Sequence, residues 1–482
     1  MRKLKITSIL LALLMVVSLL TACGGGVSPS SVAPDQPGSP DGDTPPSVDE
    51  NVTLTLGIYP VDTDEAAKAE HEKFIALYEE KYPNVEVVRQ NYEYALDTFV
   101  PLAESGGLPV VFTSWFTEPQ KIIASGYAAD ITDYLQERGW LEKIHPGIVE
   151  LLSQDGRVYG LPRDAYALGL MVNLDMFGAA GYKNADGTYQ YPKTWDEVAQ
   201  FAVKIKEATG QKAIAMQGQD NGAGWHFSNI AWNFGAEMTK MDSSGVVSAN
   251  LNTPEFIAAL EYVKSLRWTY DVLLDPSTIN WGTGYEALGT GTAAMYMAAN
   301  DGVNQPLNYG LTPDDFAIIP MPAGPGGQYL LQGGTPYMFS PDATPAQINA
   351  ALDYIEIMGR VPVLSDEVRE GLRVTQGNNK EQGIPVLPPF PLYTDPAIIA
   401  MHDEVAAEFN NMDIRLWQDY INMMRSKDAI HPEEPGLTQE MYAQILQALQ
   451  AIFTDANADC AALAKTANDN YQTLLDSYYA SL

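Results

Sequence analysis

Aromatic rings and hydrogen-bonding side chains recur together along this chain at the ends of apolar segments. Tyr59 closes the alternating run NVTLTLGIY, and Trp115 with Glu118 follows the apolar run LPVVFT. Arg163, Asp164 and Tyr166 come just after DGRVYGLP, Trp225 and His226 lie in the glycine-flanked loop DNGAGWHFSN, and Asn300 and Asp301 end GTAAMYMAAND. A pyranose presents a C–H face that packs on a flat ring, and a rim of hydroxyls that exchanges hydrogen bonds with carboxylates, amides and guanidinium groups. Singly, each of these residues suits core packing or ordinary surface equally well. As a set they point to a carbohydrate ligand.

Catalytic and metal patterns are weak by comparison. The five histidines, His71, His145, His226, His402 and His431, are scattered, and HEKFI lacks the second histidine of a zinc protease. Neither a P-loop nor a G-x-S-x-G elbow occurs. The carboxylate pairs Glu79-Glu80 and Glu433-Glu434 read as solvated surface. The chain is therefore expected to be no enzyme and to hold neither cofactor nor metal. Its formal net charge of −33 argues against nucleic acid and against an anionic membrane surface as electrostatic partners.

These residues must be positioned by alternating strands and helices. NVTLTLGIY and VEVVRQNY alternate as strands, and DEAAKAEHEKFIALYEEKYPN between them has helical spacing, with Phe74, Leu77 and Tyr78 on one face. A helix around ALDTFVPLAESGG, the strand LPVVFTSWF and a helix through EPQKIIASG continue the pattern. Such alternation predicts an α/β fold with a parallel sheet and ligand sites at the carboxyl ends of its strands. Asp155-Gly156 makes a tight turn before Pro162, as a chain crossing between lobes would. Thr194 and Glu197 form a capping-box pattern that assigns Trp195 to helix packing. About 430 residues after Asn51 exceed what one core usually serves and imply two lobes.

The N-terminus adds a tether. MRKLK followed by ITSILLALLMVVSLL has the charged start and apolar middle of an export signal. Leu20, Thr21, Ala22 and Cys23 resemble the lipobox of bacterial lipoproteins, which implies an acylated (palmitate-bearing) Cys23. Residues 1–23 are then a lipoprotein signal peptide, and residues 24–50, rich in Gly, Ser and Pro, a disordered linker. With Cys23 used, only Cys460 remains and no intrachain disulfide can form. The long helical periodicity of residues 440–482 should bury Cys460.

Five segments in order, SGGLPVVFTSWFTEPQKIIASGYAADITDYL, DGRVYGLPRDAYALGLMVNLDMFGAAGY, YPKTWDEVAQFAVKIKEATG, LGTGTAAMYMAAND and IIPMPAGPGGQYLLQGGTPYMFSPDATPAQINAALDYIEIM, resemble the family 1 extracellular solute-binding proteins, the maltose-binding-protein-like sugar receptors of ABC importers. One departure is Pro109-Val110, where the family usually has Pro-Asp. The resemblance implies a two-lobed α/β periplasmic-binding-protein-like fold of type II, with residues 51–163 and 315–361 in lobe 1, residues 164–314 and 362–482 in lobe 2, and crossings near Pro162, 310–315 and 360–366. It implies ligand contact by Trp115, Tyr166, Trp225, Asp301 and, in the GGTPY turn, Tyr337. It also implies a monomer, lipid-anchored on the extracytoplasmic face of the cell membrane, that closes its lobes over a sugar or oligosaccharide and passes it to permease transmembrane subunits. A receptor of the same fold for a glycerol phosphodiester, polyamine or peptide stays open, and so does a surface carbohydrate hydrolase.

Overall fold

The structure, a computed structural model, describes residues 51–61 and 65–480, so the export signal, Cys23 and the linker lie outside the described residues. The strands are β1 (Val52–Leu56), β2 (Val85–Arg89), β3 (Val111–Thr113), β4 (Ser153–Gln154), β5 (Arg157–Val158), β6 (Gly160–Asn173), β7 (Ile214–Ala215), β8 (Thr239–Met241), β9 (Val247–Ala249), β10 (Met295–Ala299), β11 (Phe316–Ile319), β12 (Leu330–Phe339) and β13 (Ile430–Pro432). Nine of them form one sheet in the order β2-β1-β3-β12-β6-β10-β7, with β11 on β6 and β13 on β12.

The sheet is mixed where a parallel one was expected. β1 runs parallel to β2 and β3, but β12 is antiparallel to β3 and β6, and β6 is antiparallel to β10 and β11. The long β6 joins the halves. Residues up to Ala167 pair with β12, whereas Leu168–Val172 pair with β10 and Leu170–Asn173 with β11. Partners thus change at Ala167–Leu168, five residues beyond Pro162. At that point Asn300 Oδ1 accepts from Ala167 N at 3.2 Å and from Tyr420 Oη at 3.0 Å, and Tyr420 Oη also donates to Ala167 O at 2.5 Å.

The other expected crossings move for similar reasons. β11 lies on the Leu170–Asn173 end of β6, so the chain leaves that half between Ile319 and Leu330 rather than at 310–315. Nor does it return at 360–366, because the helix Asp366–Glu381 packs on the helices Glu65–Lys81 and Pro345–Ile357 of the first half. Gly359 and Gly371 make that close approach possible: a Cβ on Gly371 would sit 2.4 Å from Ile357 O, and one on Gly359 2.7 Å from Val368 O.

Local rules hold better. Asp155 and Gly156 both adopt positive φ, 52° and 75°, and turn β4 into β5. Thr194 Oγ1 caps the helix Trp195–Thr209 by accepting from Glu197 N, while Glu197 reaches back to Lys193 N. Trp195 is buried there. On Glu65–Lys81 the buried face is Glu70, His71, Phe74, Ile75 and Tyr78, which leaves Leu77 46% exposed on its flank. Cys460 is buried at the start of Cys460–Tyr479, which packs on Thr438–Thr454, Pro254–Trp268 and β9.

The crossing strand gives a test. A Cβ on Gly169 would meet Ile318 Cγ2 at 2.4 Å and Ile319 O at 2.7 Å, whereas one on Gly178, inside the helix Leu174–Ala179, meets nothing nearer than 4.0 Å. Gly169→Ala should cost about 1–3 kcal/mol by overpacking. Gly178→Ala should stabilise by about 0.5–1 kcal/mol through helix propensity. Urea unfolding midpoints of the two variants read the opposite signs directly.

Candidate ligand-binding site

β1, β2 and β3 are parallel, and their carboxyl ends open onto one cavity of about 460 Å³. Gly57–Val61 follows β1, Tyr92–Tyr94 follows β2, and Thr113–Trp115 ends β3. Arg163 and Asp164 of β6, Thr335 and Tyr337 of β12, Glu70 and His71 of the first helix, and Arg360 complete the wall. Of the residues singled out in the sequence, Tyr59, Trp115, Arg163, Asp164 and Tyr337 meet here.

Arg163 and Asp164 are chain neighbours, and in a regular strand their side chains would point to opposite faces. The β6–β12 register shifts between Thr335↔Asp164 and Pro336↔Pro162, leaving Arg163 as the extra residue of a bulge. Both side chains reach the cavity, and Arg163 Nε donates to Asp164 Oδ2 at 2.6 Å. GGTPY is thus strand, paired opposite that bulge, rather than a turn. Its glycines seat rings: a Cβ on Gly333 would lie 2.2 Å from Tyr166 Oη, and one on Gly334 2.5 Å from Phe116 Cε2.

Trp115 is 41% exposed and meets Tyr94 edge-on at 5.2 Å. Tyr94 Oη in turn donates to Glu118 Oε2 at 2.9 Å. Glu118 is buried, also bound by Thr117 Oγ1 and paired with Lys121 at 3.2 Å, so it braces Tyr94 rather than lining the cavity. Tyr59 Oη donates to Glu72, whose other bonds are a two-pronged pair with Arg89 at 2.6 Å. This pair, with the Arg89 bonds foremost, holds Glu72 down at about 2. His71 lies against Tyr354 Oη at 3.2 Å, and burial, then the Arg360 and Arg163 charges, lower it to about 3.

A second group gathers around Tyr166. Trp225 meets it edge-on at 5.9 Å, and the residues that raise the Tyr166 phenol, after burial, are Glu433, Asp301 and Asp164. Asp301 has solvent-accessible surface yet is enclosed in depth; this burial first, then Asp164, pushes its carboxyl up to about 7. Burial likewise raises Glu433 to about 8, although Tyr442 Oη donates to it at 2.8 Å. Glu434 is buried and accepts from Trp232 Nε1 at 2.7 Å. The pair Glu433-Glu434 is therefore not the solvated surface expected, because the fold folds it under these aromatic rings.

Other sequence candidates have internal duties. Trp225 and His226 sit on a helix, Gly222–Asn233, not in a loop. Its glycines mark a close approach: a Cβ on Gly224 would fall 2.4 Å from Tyr442 O. His226 is buried, held near 3 by burial, and packs between Trp225 and Tyr296 with Gln217 Nε2 3.2 Å from its Nε2. Asn300 serves the strand crossing described above. The halves also touch at Thr117, where Gln439 Nε2 donates to Oγ1 at 3.2 Å while Asn221 Nδ2 bonds Gln439, and at Lys121–Glu440.

Sequence reasoning missed Tyr92, Tyr94, Glu70, His71 and Arg360. The two tyrosines obeyed the strand-end rule and were findable in NYEYA after β2; the others arrive through helix packing. Among the described residues no helix is long and apolar enough to cross a membrane.

Residues 62–358, more than half of the chain, match the model of the bacterial extracellular solute-binding protein family. The chain belongs to that family. A binding protein of Brucella abortus is 26% identical over 176 residues, 36% of this chain and 38% of the relative, so the match spans under two fifths of that relative's length. A solute-binding protein from Thermotoga lettingae, solved bound with α-D-tagatose, superposes with TM-score 0.67 at 16% identity, covering 88% of this chain and all of that one. UgpB of Mycobacterium tuberculosis, solved with glycerophosphocholine, gives 0.67 at 15% identity over 89% and 99%. The fold is that of the two-lobed solute-binding proteins.

Asp301 and Glu433 predict a pH dependence. Their folded pKa values lie above the unfolded ones, so the unfolded chain ionises first and stability falls as pH rises from about 4 toward 7 and 8. The Asp301→Asn/Glu433→Gln protein should melt with a flatter loss of Tm between pH 5 and 8 than the parent. Equal slopes would contradict the assignment.

Proposed function

We propose that this protein is the solute receptor of an ABC importer, closing two lobes over a sugar or short oligosaccharide and delivering it to membrane permease subunits. The observation that carries this reading is the cavity at the carboxyl ends of β1–β3, where the rings of Tyr59, Tyr92 and Trp115 stand beside Arg163, Asp164, Thr113 and Ser114. Rings match the apolar face of a pyranose and the polar groups its hydroxyls. Asp301, Tyr166 and Trp225 extend the same kind of surface across β6. A carboxyl held neutral both donates and accepts, so Asp301 and Glu433 suit hydroxyls better than a polyamine's charges. We assign no catalytic role to any residue. The lipobox-like sequence at Cys23 supports an acylated N-terminus that tethers the receptor to the outer face of the membrane; two or more chains at about 0.8 kcal/mol per buried methylene would hold it firmly.

The lobes are built on the two halves of the sheet, one around β1–β3 and β12, the other around β7, β10 and β11 with the C-terminal helices, and hinge motion would turn on β6. A glycerol phosphodiester is a second reading, favoured by the two guanidinium groups on the cavity wall.

Thermal-shift screening against mono- and oligosaccharides identifies the ligand, since a solute at a hundred times its Kd adds about 2.7 kcal/mol. Against the best hit, Trp115→Ala and Trp225→Ala should each weaken calorimetric affinity by about 1–3 kcal/mol. Trp195→Ala should lower Tm, through a loss of about 3–5 kcal/mol, and leave affinity nearly intact. Unchanged affinity in both of the first two would remove the stacking model.

A further inference from the structure

Resting on the solute-receptor reading, we infer that one corner of the cavity, formed by Arg360 and Tyr337 with Arg163 beside them, is a subsite for an acidic group, carboxylate or phosphate, carried by the sugar.

The guanidinium of Arg360 lines the cavity and has no hydrogen-bond or ion-pair partner among the described residues. It is not on a mobile tail. Gly359, at φ 75°, ends the helix Pro345–Ile357 and packs against Gly371, so the backbone under Arg360 is fixed. A planar fork with five donors held in a wall without an acceptor is what a carboxylate or phosphate oxygen pair would complete.

Tyr337 supplies the second, independent observation. Its side chain is fully buried, it lines the same cavity, and its Oη has no hydrogen-bond partner among the described residues. A buried unpaired hydroxyl is unfavourable unless a ligand pairs it. The charged groups acting on this phenol are Arg360, Arg163, Asp164 and Glu70, all of them cavity residues, so the hydroxyl faces that corner.

The cavity's own carboxylates leave the corner open. Asp164 is taken by Arg163 Nε. Glu70 accepts from Thr375 Oγ1 at 3.0 Å and Asn378 Nδ2 at 3.3 Å and, among the described residues, comes within ion-pair distance of no arginine. Glu93 is exposed at the rim. His71, lowered to about 3, is neutral and adds no competing charge.

The test compares calorimetric Kd values for glucose and maltose, glucuronate, glucose 6-phosphate and glycerophosphocholine with the parent, Arg360→Met and Tyr337→Phe proteins, each checked for an unchanged melting profile. Tyr337→Phe removes only the unpaired hydroxyl and should not lower Tm. An acidic sugar should bind the parent roughly 10- to 100-fold more tightly than its neutral counterpart, with Arg360→Met abolishing that difference and Tyr337→Phe reducing it. Which of glucuronate and glucose 6-phosphate prevails identifies the acidic group. Equal binding of neutral and acidic sugars, or equal weakening of both by Arg360→Met, overturns the acidic corner while leaving the sugar receptor standing. Arg360-dependent binding of glycerophosphocholine alone keeps the corner and overturns the sugar. No binding by any of the five overturns both.

Discussion

β6 is bonded to β12 along its first half and to β10 and β11 along its second, and that shared backbone links the two halves of the sheet. A strand with continuous ladder bonds resists stretching and shear but yields to bending and twist, which suits it to the hinge proposed above. The clamp of Asn300 and Tyr420 on Ala167 sits where the partners change, and Gly169 keeps the layers close just beyond. Four residues before Ala167, the Arg163 bulge turns two adjacent charged side chains into the same cavity. Mechanical continuity and chemical placement therefore come from one strand.

Around it, the site is built in layers. Rings stand in the cavity or beside it, and their neighbours hold them: buried Glu118 holds Tyr94, which supports Trp115; the exposed Glu72–Arg89 pair holds Tyr59; outside the cavity lining, His226 and Gly333 seat Trp225 and Tyr166. Much of the chain's negative charge is on the surface; Glu433 is partly buried, and desolvation raises its carboxyl to about 8 and that of Asp301, which stays exposed on one side, to about 7.

Much of this was legible in the sequence, and the failures have physical causes. Tyr59, Trp115, Arg163 and Asp164 were found because strand period and the strand-end rule depend on local pattern. Helix Gly222–Asn233 was misread as a loop because Gly222 and Gly224 weaken helix propensity, and tertiary contact with Tyr442 overrides it. The parallel sheet was expected from alternation alone, which does not specify strand direction once β6 and β12 return antiparallel. Arg360 and His71 left no local signal, since their place depends on how the helices Glu65–Lys81 and Asp366–Glu381 pack. Glu118, His226 and Asn300 were chosen for their chemistry, and the fold spends that chemistry on holding neighbours.

The central claim is that a solute is held at the carboxyl ends of β1, β2 and β3. Hydrogen–deuterium exchange of the full chain, with and without a saturating sugar from the screen, tests it most directly. Slower exchange should appear in residues 57–61, 92–94, 113–115 and 335–337, the segments that line the cavity. Protection confined to other segments, such as the surface depression around Tyr191, Lys193 and Asn422, would contradict it.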